Sequence, residues 1–440
     1  MTRSATPAHA TSRRGLVLVG TAIVLTGFNL RTAVNSVGPV LEEIEHGLGI
    51  SSGLAGLITS MPLICFALIG FAGPPLAARF RDGHVLAAAL LVMTVGLLLR
   101  VAVPSIWVFL VGTVATMVGG ALGNVLLPGL VKRWFPSRTG LLVGAYSTAL
   151  AIGGAVASVS TAPIAEAVGA DGWRWALGVW AVFALVAALP WLAVPVRPGA
   201  SRGGHTAVRL RALGRSRLAW TMAAFFGLQA MQAYVIVGWT AQYLRDQGMS
   251  AHAAGFLVGL NALIVIPLNA VVPLGAVRQH LQRPMLLAFI ACYLAGWTGL
   301  LVAPLTLTWL WVCLLGLGMG TFAMILALFG LRGRTPESVG ALSTVAQGWG
   351  YALAGVGPLL VGLLRGLTGG YTGMFVLVYA GVGLLLVTGW AICRERYVDD
   401  EVPGAVVPAD RPIPDRAVPG RDDEVEVAGA EPPVALRPRE

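Results

Sequence analysis

Twelve long apolar runs constrain this chain more than any other feature of its sequence. They lie near residues 15–40, 52–75, 84–102, 105–130, 139–168, 174–194, 218–243, 253–275, 284–303, 307–330, 339–366 and 372–393. Crossing a hydrocarbon core of about 30 Å takes about 20 helical residues. The runs are longer than barrel strands, and only helices or closed barrels satisfy their backbone polar groups in lipid. The sequence therefore predicts an all-α membrane protein with twelve transmembrane helices.

The distribution of charge predicts the orientation of these helices. Charged residues make up only 11% of the 440 residues, against about 25% in soluble domains. Most arginines lie in every second connection between the runs, and short cytoplasmic loops are enriched in basic residues. We therefore expect a multi-pass protein of a bacterial-type inner (plasma) membrane with both termini cytoplasmic. The basic excess then reflects topology, and no nucleic-acid partner is expected.

A polar, basic segment without acidic residues, 195–217, separates six apolar runs from six. The predicted domains are a cytoplasmic N-terminal segment at 1–14, a six-helix bundle at 15–194, a basic cytoplasmic linker at 195–217, a second six-helix bundle at 218–393 and a cytoplasmic tail at 394–440. The tail is acidic, rich in proline and poor in large apolar residues. Because it buries too little surface to offset the entropy cost of ordering, we predict that it is disordered.

The two halves of the chain resemble each other at a nearly constant offset. Matched positions are Gly49 with Gly248, Ala55 with Ala254, Gly56 with Gly255, Pro74 with Pro273, Arg79 with Arg278, Lys132 with Arg332, Pro136 with Pro336 and Gly140 with Gly340. Each match alone is weak, but their ordered recurrence indicates two homologous halves. Two pseudo-symmetric six-helix bundles form the major facilitator fold, in which the substrate site lies between the halves at mid-membrane.

Five segments carry a more specific resemblance. They read FNLRTAVNSVGPVLEEI at 28–44, GNVLLPGLVKRWFP at 123–136, GWRWALGVWA at 172–181, GLQAMQAY at 227–234 and AQGWGYALAGVGPLLVGLLR at 346–365. The chain thereby resembles the cyanate/nitroimidazole (CynX/NimT) transporters of the major facilitator superfamily. The resemblance implies a secondary active or facilitative transporter of a small polar or anionic solute that works by alternating access. It implies no enzyme activity and no cofactor.

One loop departs from the pattern usual in the superfamily. After the second run the chain reads PPLAARFRDGH at 74–84, where Ala78 takes the place of the usual aspartate. Arg79 retains the basic partner of a gating ion pair, Asp82 is the candidate to replace the missing acid, and Arg278 is the counterpart of Arg79 in the second half. We predict a gating role for these three residues. A plain positive-inside loop is the alternative.

Arg31 lies deep in the first run, where an ionisable side chain is costly and is by default a candidate for function. No Asp, Glu or His lies deep in any other run. Guanidinium stays protonated and binds a planar anion through two parallel hydrogen bonds. We therefore predict that Arg31 binds an anionic solute. The alternative is a structural arginine that reaches toward the acids at 42–45 or caps helix carbonyls.

Further polar residues in the runs are candidates for the same site. The predicted substrate-binding set is Arg31, Asn29, Asn35, Asn124, Tyr146, Gln229, Gln232, Gln347 and Tyr351. Asn35 follows Arg31 by one helical turn and shares its face. The alternative for each amide is a hydrogen bond that holds neighbouring helices together.

Other functions receive less support from the sequence. Its four cysteines show no metal-ligand or disulfide spacing, and we expect no metal. An exporter of hydrophobic drugs is the main alternative, and a polytopic membrane enzyme is a remote one because the loops lack a metal-binding acidic motif. The sequence leaves open how transport is driven. The substrate itself carries a proton, or transport is facilitated, or Glu166 takes part in proton transfer. The expected partners are a small solute, an anion or weak acid, and the lipid bilayer, and we expect a monomer.

Overall fold

Each apolar run folds into helix, since helix satisfies every backbone hydrogen bond within one segment. The computed structural model describes residues 13–79, 82–194 and 213–402, all within the unit Met1–Val406. Twelve helices in this part of the chain are long and apolar enough to cross a membrane. The predicted twelve-helix membrane fold is confirmed. The predicted N-terminal segment, apart from residues 13 and 14, and most of the predicted linker lie outside the described residues.

The first half of the chain provides six spans. Its helices are α1 (Arg13–Asn35), α2 (Leu41–Leu48), α3 (Ser52–Arg79), α4 (Asp82–Ala102), α5 (Ile106–Trp134), α6 (Thr139–Val168), α7 (Gly172–Gly178) and α8 (Trp180–Ala193). Short 3₁₀ turns at Gly38–Val40 and Pro136–Arg138 connect α1 to α2 and α5 to α6. The short helices α7 and α8 together form the sixth span.

The second half repeats this arrangement. Its helices are α9 (Arg217–Asp246), α10 (Ala251–Ala276), α11 (Gln279–Val302), α12 (Thr308–Gly318), α13 (Gly320–Leu331), α14 (Pro336–Thr368), α15 (Thr372–Ile392) and α16 (Val398–Glu401). Here α12 and α13 together form the tenth span. They are separated only at Met319, within a glycine-rich stretch of low helix propensity.

The proposed sequence repeat is visible in the backbone. Within the described residues, positive φ angles of glycine occur at Gly49 (61°), Gly248 (101°), Gly169 (95°) and Gly369 (66°). These four residues form two pairs with the same offset as the matched positions of the two halves. Each ends a span where the chain turns, a conformation that residues with a Cβ rarely adopt.

Helices α1 to α8 pack as one bundle and α9 to α15 as a second. The bundles meet through two crossings, α3 with α14 and α6 with α10, and through the 3₁₀ turn Gly38–Val40, which lies against α9. We call the end of the molecule where α1 and α9 begin the terminal end. The opposite end, where residues 42–51 and 246–250 connect spans, is the distal end.

The predicted disordered tail differs from the structure at its beginning. Residues 394–402 are ordered, and Val398 is buried. The backbone N–H of Val398 donates to the carbonyl of Arg332, and Asp399 accepts from the backbone N–H of Arg334 at 2.8 Å. Glu401 accepts from the backbone N–H of Leu218 at 2.9 Å. We call residues 394–402 the strap; the acids that made this segment look disordered cap the starts of two helices. Residues 403–440 lie outside the described part.

Candidate functional site

A cavity of about 470 Å³ lies between the two bundles at the middle of the spans. Seven of the nine sequence-predicted binding residues line it: Arg31, Asn35, Asn124, Tyr146, Gln229, Gln347 and Tyr351. They come from α1, α5, α6, α9 and α14, so both bundles contribute. The volume suits a small molecule.

Arg31 is half-buried in the cavity wall. Its guanidinium lies over the ring of Tyr234, 5.7 Å from the ring centroid, and Tyr234 belongs to the opposite bundle. Within the described part of the chain, Arg31 makes no ion pair and the cavity wall contains no acidic side chain. An arginine in this position needs a hydrogen-bonding or anionic partner.

Three cavity residues from this neighbourhood also have a polar atom without a partner among the described residues. They are Asn35, Gln229 and Tyr234, each at most 5% exposed. Gly154 of α6 lies directly against Asn35 and the Cβ of Arg31, which leaves room for both side chains. Buried polar groups are normally hydrogen-bonded. The atoms of Asn35 and Gln229 and the free guanidinium of Arg31 together mark a polar site in the cavity.

Aromatic side chains form another part of the cavity wall. Tyr351 packs against Phe66 of the opposite bundle, with ring centroids 5.5 Å apart, and edge-on against Phe226 at 4.9 Å. Phe322 also lines the cavity. The described wall of the cavity therefore combines the cation of Arg31, several amides and flat apolar surfaces. The sequence-based set omitted Phe66 and Phe322, because a phenylalanine that faces a cavity and one that faces lipid give the same signal in an apolar run.

Two predicted binding residues do not line the cavity. Asn29 donates to the carbonyls of Leu25 and Phe183, which joins α1 to α8. Gln232 donates to the carbonyl of Val378 at 2.8 Å and accepts from the indole of Trp297 at 2.9 Å. Both amides fit the alternative role of holding neighbouring helices together.

The predicted gating residues lie at the terminal end of the spans. Arg79 is the last residue of α3 and Asp82 the first of α4, and their side chains lie outside the described part of the structure. Arg278 is exposed and precedes α11 without capping it. A gating role for the three residues stays a prediction.

On the distal side of the cavity the two bundles approach closely. A Cβ on Gly38 would overlap the carbonyl oxygen of Val237, and a Cβ on Gly255 would lie 2.6 Å from the carbonyl oxygen of Ser158. Each pair joins one bundle to the other. We call this region the distal seal. Small residues permit such backbone contact, and the distal seal lies between the cavity and the distal end.

Ion pairs between the bundles lie at the outer edge of the distal seal. Arg245 of α9 binds Glu43 of α2 through two bonds of 2.9 Å, approaches Glu42 at 2.9 Å, and donates to the carbonyl of Pro39 at 3.1 Å. Both carboxylates belong to the short helix α2, which the break at Pro39 turns toward the opposite bundle.

A second arginine repeats this arrangement. Arg365 of α14 lies 3.4 Å from Glu45 and donates to the hydroxyl of Ser52 at 3.0 Å, both in the first bundle. It also pairs with Asp246 of its own bundle at 2.9 Å. The acids that the sequence places near the outer ends of the spans are thus partners of Arg245 and Arg365, and not of Arg31.

Arg100, near the distal end of α4, is another arginine inside the membrane-spanning part of the chain. It is 0% exposed and donates to the carbonyls of Ala33 and Leu177, each at 3.4 Å. Leu177 lies at the break between α7 and α8, where the last carbonyls of a helix lack intrahelical partners. Arg100 therefore bridges helices within the first bundle and does not line the cavity.

No cluster of three or more His, Cys, Asp or Glu side chains fit to hold a metal occurs among the residues described. Hydrogen bonds within the cavity wall are local, such as that from Gln347 to Ser343 at 2.6 Å. The described residues of the cavity can thus recognise a solute through the cation of Arg31, amides, hydroxyls and aromatic rings. Nothing in this set indicates a nucleophile for a chemical reaction.

Comparison with known proteins supports this interpretation. Residues 18–358 match the model of the Major Facilitator Superfamily. The chain is 33% identical over 389 residues to the 2-nitroimidazole transporter of Escherichia coli (strain K12), covering 88% of this chain and 97% of that protein. It is 30% identical over 368 residues to the cyanate transport protein CynX of the same organism, covering 83% and 95%.

Solved structures show the same fold. A bacterial homolog of the human lysosomal transporter Spinster, in an inward-facing and unoccupied conformation, aligns with a TM-score of 0.68 at 15% identity, covering 90% of this chain and all of that one. Family match, relatives and fold agree, and the relatives are transporters. The chain belongs to the major facilitator superfamily, and it is a membrane transporter and not an enzyme.

Proposed function

We propose that this transporter carries a small anion or weak acid, and that the cavity between the bundles is its binding site. The observation that carries the proposal is Arg31: a permanent cation in the cavity wall that has no acidic partner in the described part of the chain. An anionic solute supplies the missing countercharge. Asn35, Gln229, Gln347 and Tyr351 supply further polar contacts around it.

The names of the relatives agree with this solute class. Cyanate is a small anion, and 2-nitroimidazole is a small, flat, polar ring. Both fit within about 470 Å³. The guanidinium of Arg31 suits the charge of the first, and the rings of Phe66 and Tyr351 suit the flat surface of the second. We infer that the transporter takes a solute from the same range of small, planar, polar molecules.

We further propose that the terminal end faces the cytoplasm of a bacterial-type cell. The support is the concentration of arginine in the connections at that end, as the positive-inside rule requires. The structure is then closed toward the outside by the distal seal. The cavity is bounded by Ser343 and Asn269 on the terminal side, each within about 12 Å of the terminal end of its helix. We therefore propose an inward-facing conformation, and we propose that the transporter works as a monomer.

Alternating access follows from this geometry as part of the proposal. The two bundles touch through the distal seal, and rocking one against the other would separate Gly38 from Val237 and the arginines Arg245 and Arg365 from their acids. The cavity would then open toward the outside. In this cycle the distal ion pairs hold the outer gate, and the solute at Arg31 is exposed alternately to each side.

The test is uptake into proteoliposomes that contain the wild type or Arg31→Ala. The probes are radiolabelled cyanate, benzoate and 2-nitroimidazole. We expect saturable uptake of at least one anion by the wild type. For Arg31→Ala we expect a loss of at least about 100-fold, since removing a charge that pairs with the solute in a buried site costs about 3 kcal/mol or more.

Two controls make the result specific. Arg138→Ala removes one positive charge from an exposed position at the terminal end and leaves the cavity unchanged. Arg31→Lys keeps the charge but loses the paired, planar donors, and its expected uptake is intermediate. Thermal unfolding of each purified variant establishes that it is folded. Wild-type uptake rates in Arg31→Ala, or no saturable uptake of any probe by the wild type, would contradict the proposed function.

A further inference from the structure

Tyr234 occupies a position between two spaces. Its ring lines the central cavity, where it lies under the guanidinium of Arg31. The same side chain also lines a second, much smaller pocket on the distal side, between the cavity and the distal seal. Tyr234 is only 5% exposed, so it is fixed in place by its surroundings.

The ring of Tyr234 is the aromatic surface against which Arg31 is held. Arg31 lies in α1 and Tyr234 in α9, and both lie about 26 Å from the terminal starts of their helices at 1.5 Å per residue. The contact therefore crosses the bundle interface at a single level. A guanidinium over an aromatic face is attracted by the ring quadrupole. Because no acid among the described residues pairs with Arg31, we infer that this contact orients its guanidinium.

The second pocket has a volume of about 10 Å³, near the minimum space for one water molecule. It is lined by side chains of α1, α3, α5 and α9, among them Thr59, Thr113 and Tyr234. The hydroxyls of Tyr234 and Thr113 have no hydrogen-bond partner among the described residues. The two hydroxyls belong to opposite bundles. The pocket walls are mostly apolar, and two unsatisfied hydroxyls are among the lining residues, so the pocket has room for one ordered water held by those hydroxyls.

The pocket is continuous with the distal seal. Val237 and Gly38, whose backbones make the close contact between the bundles, both line it. Val237 follows Tyr234 by three residues and lies on the same face of α9. A movement of Tyr234 therefore changes the contact at Gly38 as well as the position of Arg31.

We propose that Tyr234 is a positioning residue: its ring orients Arg31 for the solute, and its hydroxyl shares one buried water with Thr113 that stabilises the closed distal seal. Binding of an anion at Arg31 is thereby coupled to opening of the seal. The proposal rests on the proposed function in its first part, the orientation of Arg31. The water site and its effect on the seal do not depend on the identity of the solute.

Two variants distinguish the effect of the Tyr234 ring from the effect of its hydroxyl. Tyr234→Leu removes both, and Tyr234→Phe removes only the hydroxyl. In proteoliposomes, with cyanate and benzoate as probes, we expect KM to rise about tenfold in Tyr234→Leu, the size of a desolvated cation–π contact. In Tyr234→Phe we expect the KM increase to stay below about twofold, because the ring is retained.

The hydroxyl is tested at the seal by a reporter. Ser158 is fully buried beside Gly255, so in a protein whose four native cysteines are replaced by serine, the cysteine in Ser158→Cys reacts with a membrane-impermeant maleimide only when the distal side opens. In this background we expect Tyr234→Phe and Thr113→Val each to raise the labelling rate about threefold, the effect of losing one hydrogen bond. The double variant is expected to label no faster than either single one, because both remove the same water.

Tyr293→Phe is the matched control, since Tyr293 is equally buried but lies inside the second bundle and away from the cavity. It is expected to change neither KM nor labelling. Multiplicative effects in the double variant would overturn the shared water, and a wild-type KM in Tyr234→Leu would overturn the positioning role. If uptake is lost in Arg31→Ala while Tyr234→Leu keeps the wild-type KM, the result contradicts the role of Tyr234 and leaves the proposed function intact. If uptake is unchanged in Arg31→Ala, the result contradicts the proposed function.

Discussion

The distal seal and the central cavity are two parts of one interface, but their arginines have opposite environments. At the distal end Arg245 and Arg365 are held by Glu42, Glu43, Glu45 and Asp246. In the cavity Arg31 has an aromatic ring beneath it and no acid beside it among the described residues. All three arginines lie between the bundles, so location at the interface does not explain the difference.

The difference is explained by what each region has to do during transport. A seal that closes without solute must satisfy its own charges, because a buried unpaired charge costs several kcal/mol. A binding site must leave a charge for the solute to satisfy. The same comparison applies to shape, since the seal brings backbones into contact at Gly38 whereas the cavity keeps the bundles apart.

Gly38→Ala is the variant expected to break the seal most strongly. The new Cβ would overlap the carbonyl oxygen of Val237, and a backbone atom cannot move aside as a side chain does. Overpacking of this kind costs about 1–3 kcal/mol, which reduces the ratio of distally closed to distally open molecules by about 5- to 150-fold. Maleimide labelling of Ser158→Cys is the measurement, and labelling should become faster.

The control for Gly38→Ala is Gly144→Ala in α6. A Cβ at Gly144 meets no atom within 4 Å, and alanine has a higher helix propensity than glycine. We expect wild-type labelling and wild-type transport from this variant. A Gly38→Ala protein that labels at the wild-type rate would show that the seal tolerates a wider spacing than its backbone contacts indicate.

Arg245→Gln weakens the seal through charge instead of shape. The variant loses the paired bonds to Glu43 and the contact with Glu42. Glu42 and Glu43 keep 40% and 34% of their surface exposed, so solvent screens the carboxylates left behind. We expect a cost of about 1 kcal/mol, or about fivefold faster labelling of Ser158→Cys.

A double variant distinguishes the ion pair from other effects of Arg245→Gln. If the pair itself holds the seal, Glu43→Gln combined with Arg245→Gln should label little faster than Arg245→Gln alone. Raising the salt concentration should speed labelling of the wild type and leave the double variant nearly unchanged, because the pair is partly exposed. Equal salt sensitivity of both proteins would count against a role for this pair.

The sequence predicts the fold well because the constraint is simple. Twelve apolar runs of the right length, separated at 195–217 by a basic segment, have few alternatives in a membrane. The repeat at an offset of about 200 residues matches Gly49 with Gly248, and both glycines adopt a positive φ where the chain turns. The start of the tail is less predictable. The acidic composition around Asp399 and Glu401 indicates disorder, but both carboxylates accept hydrogen bonds from backbone N–H groups at the starts of two helices.

The binding site is harder to predict than the fold, because the depth of a residue in an apolar run does not specify which way its side chain points. Arg31 and Gln229 face the cavity, but Asn29 and Gln232, at similar depth, face helices of their own bundles. A turn of about 100° per residue decides between these outcomes, and tilt and helix breaks shift it. Arg100 illustrates the same limit, since its place near a predicted span end indicated the surface although the side chain is fully buried.

Arg100→Met tests whether an unpaired arginine as such is functional. Arg100, like Arg31, has no acidic partner in the described part of the structure, yet it donates to the carbonyls of Ala33 and Leu177. Methionine relieves the cost of burying the charge and loses two long hydrogen bonds, and these effects oppose each other. We expect transport per folded molecule within about twofold of the wild type. A loss comparable to that of Arg31→Ala would place Arg100 in the transport mechanism.

Asp399→Asn extends the comparison to the terminal end and should have the smallest effect on the bundle interface. Asp399 accepts from the backbone of Arg334 at 2.8 Å and from the hydroxyl of Ser338, so it caps α14. Both partners, like the strap itself, belong to the second bundle. Losing a charged cap costs about 1 kcal/mol, which lowers the unfolding midpoint of the purified protein by about 1–2 °C.

Labelling of Ser158→Cys should not change in Asp399→Asn, since no contact between bundles is lost. Asp171→Asn, with a carboxylate 74% exposed, is the control for the midpoint. Faster labelling in Asp399→Asn would mean that the strap acts across the interface, and the contrast between the distal and terminal ends would then have to be abandoned.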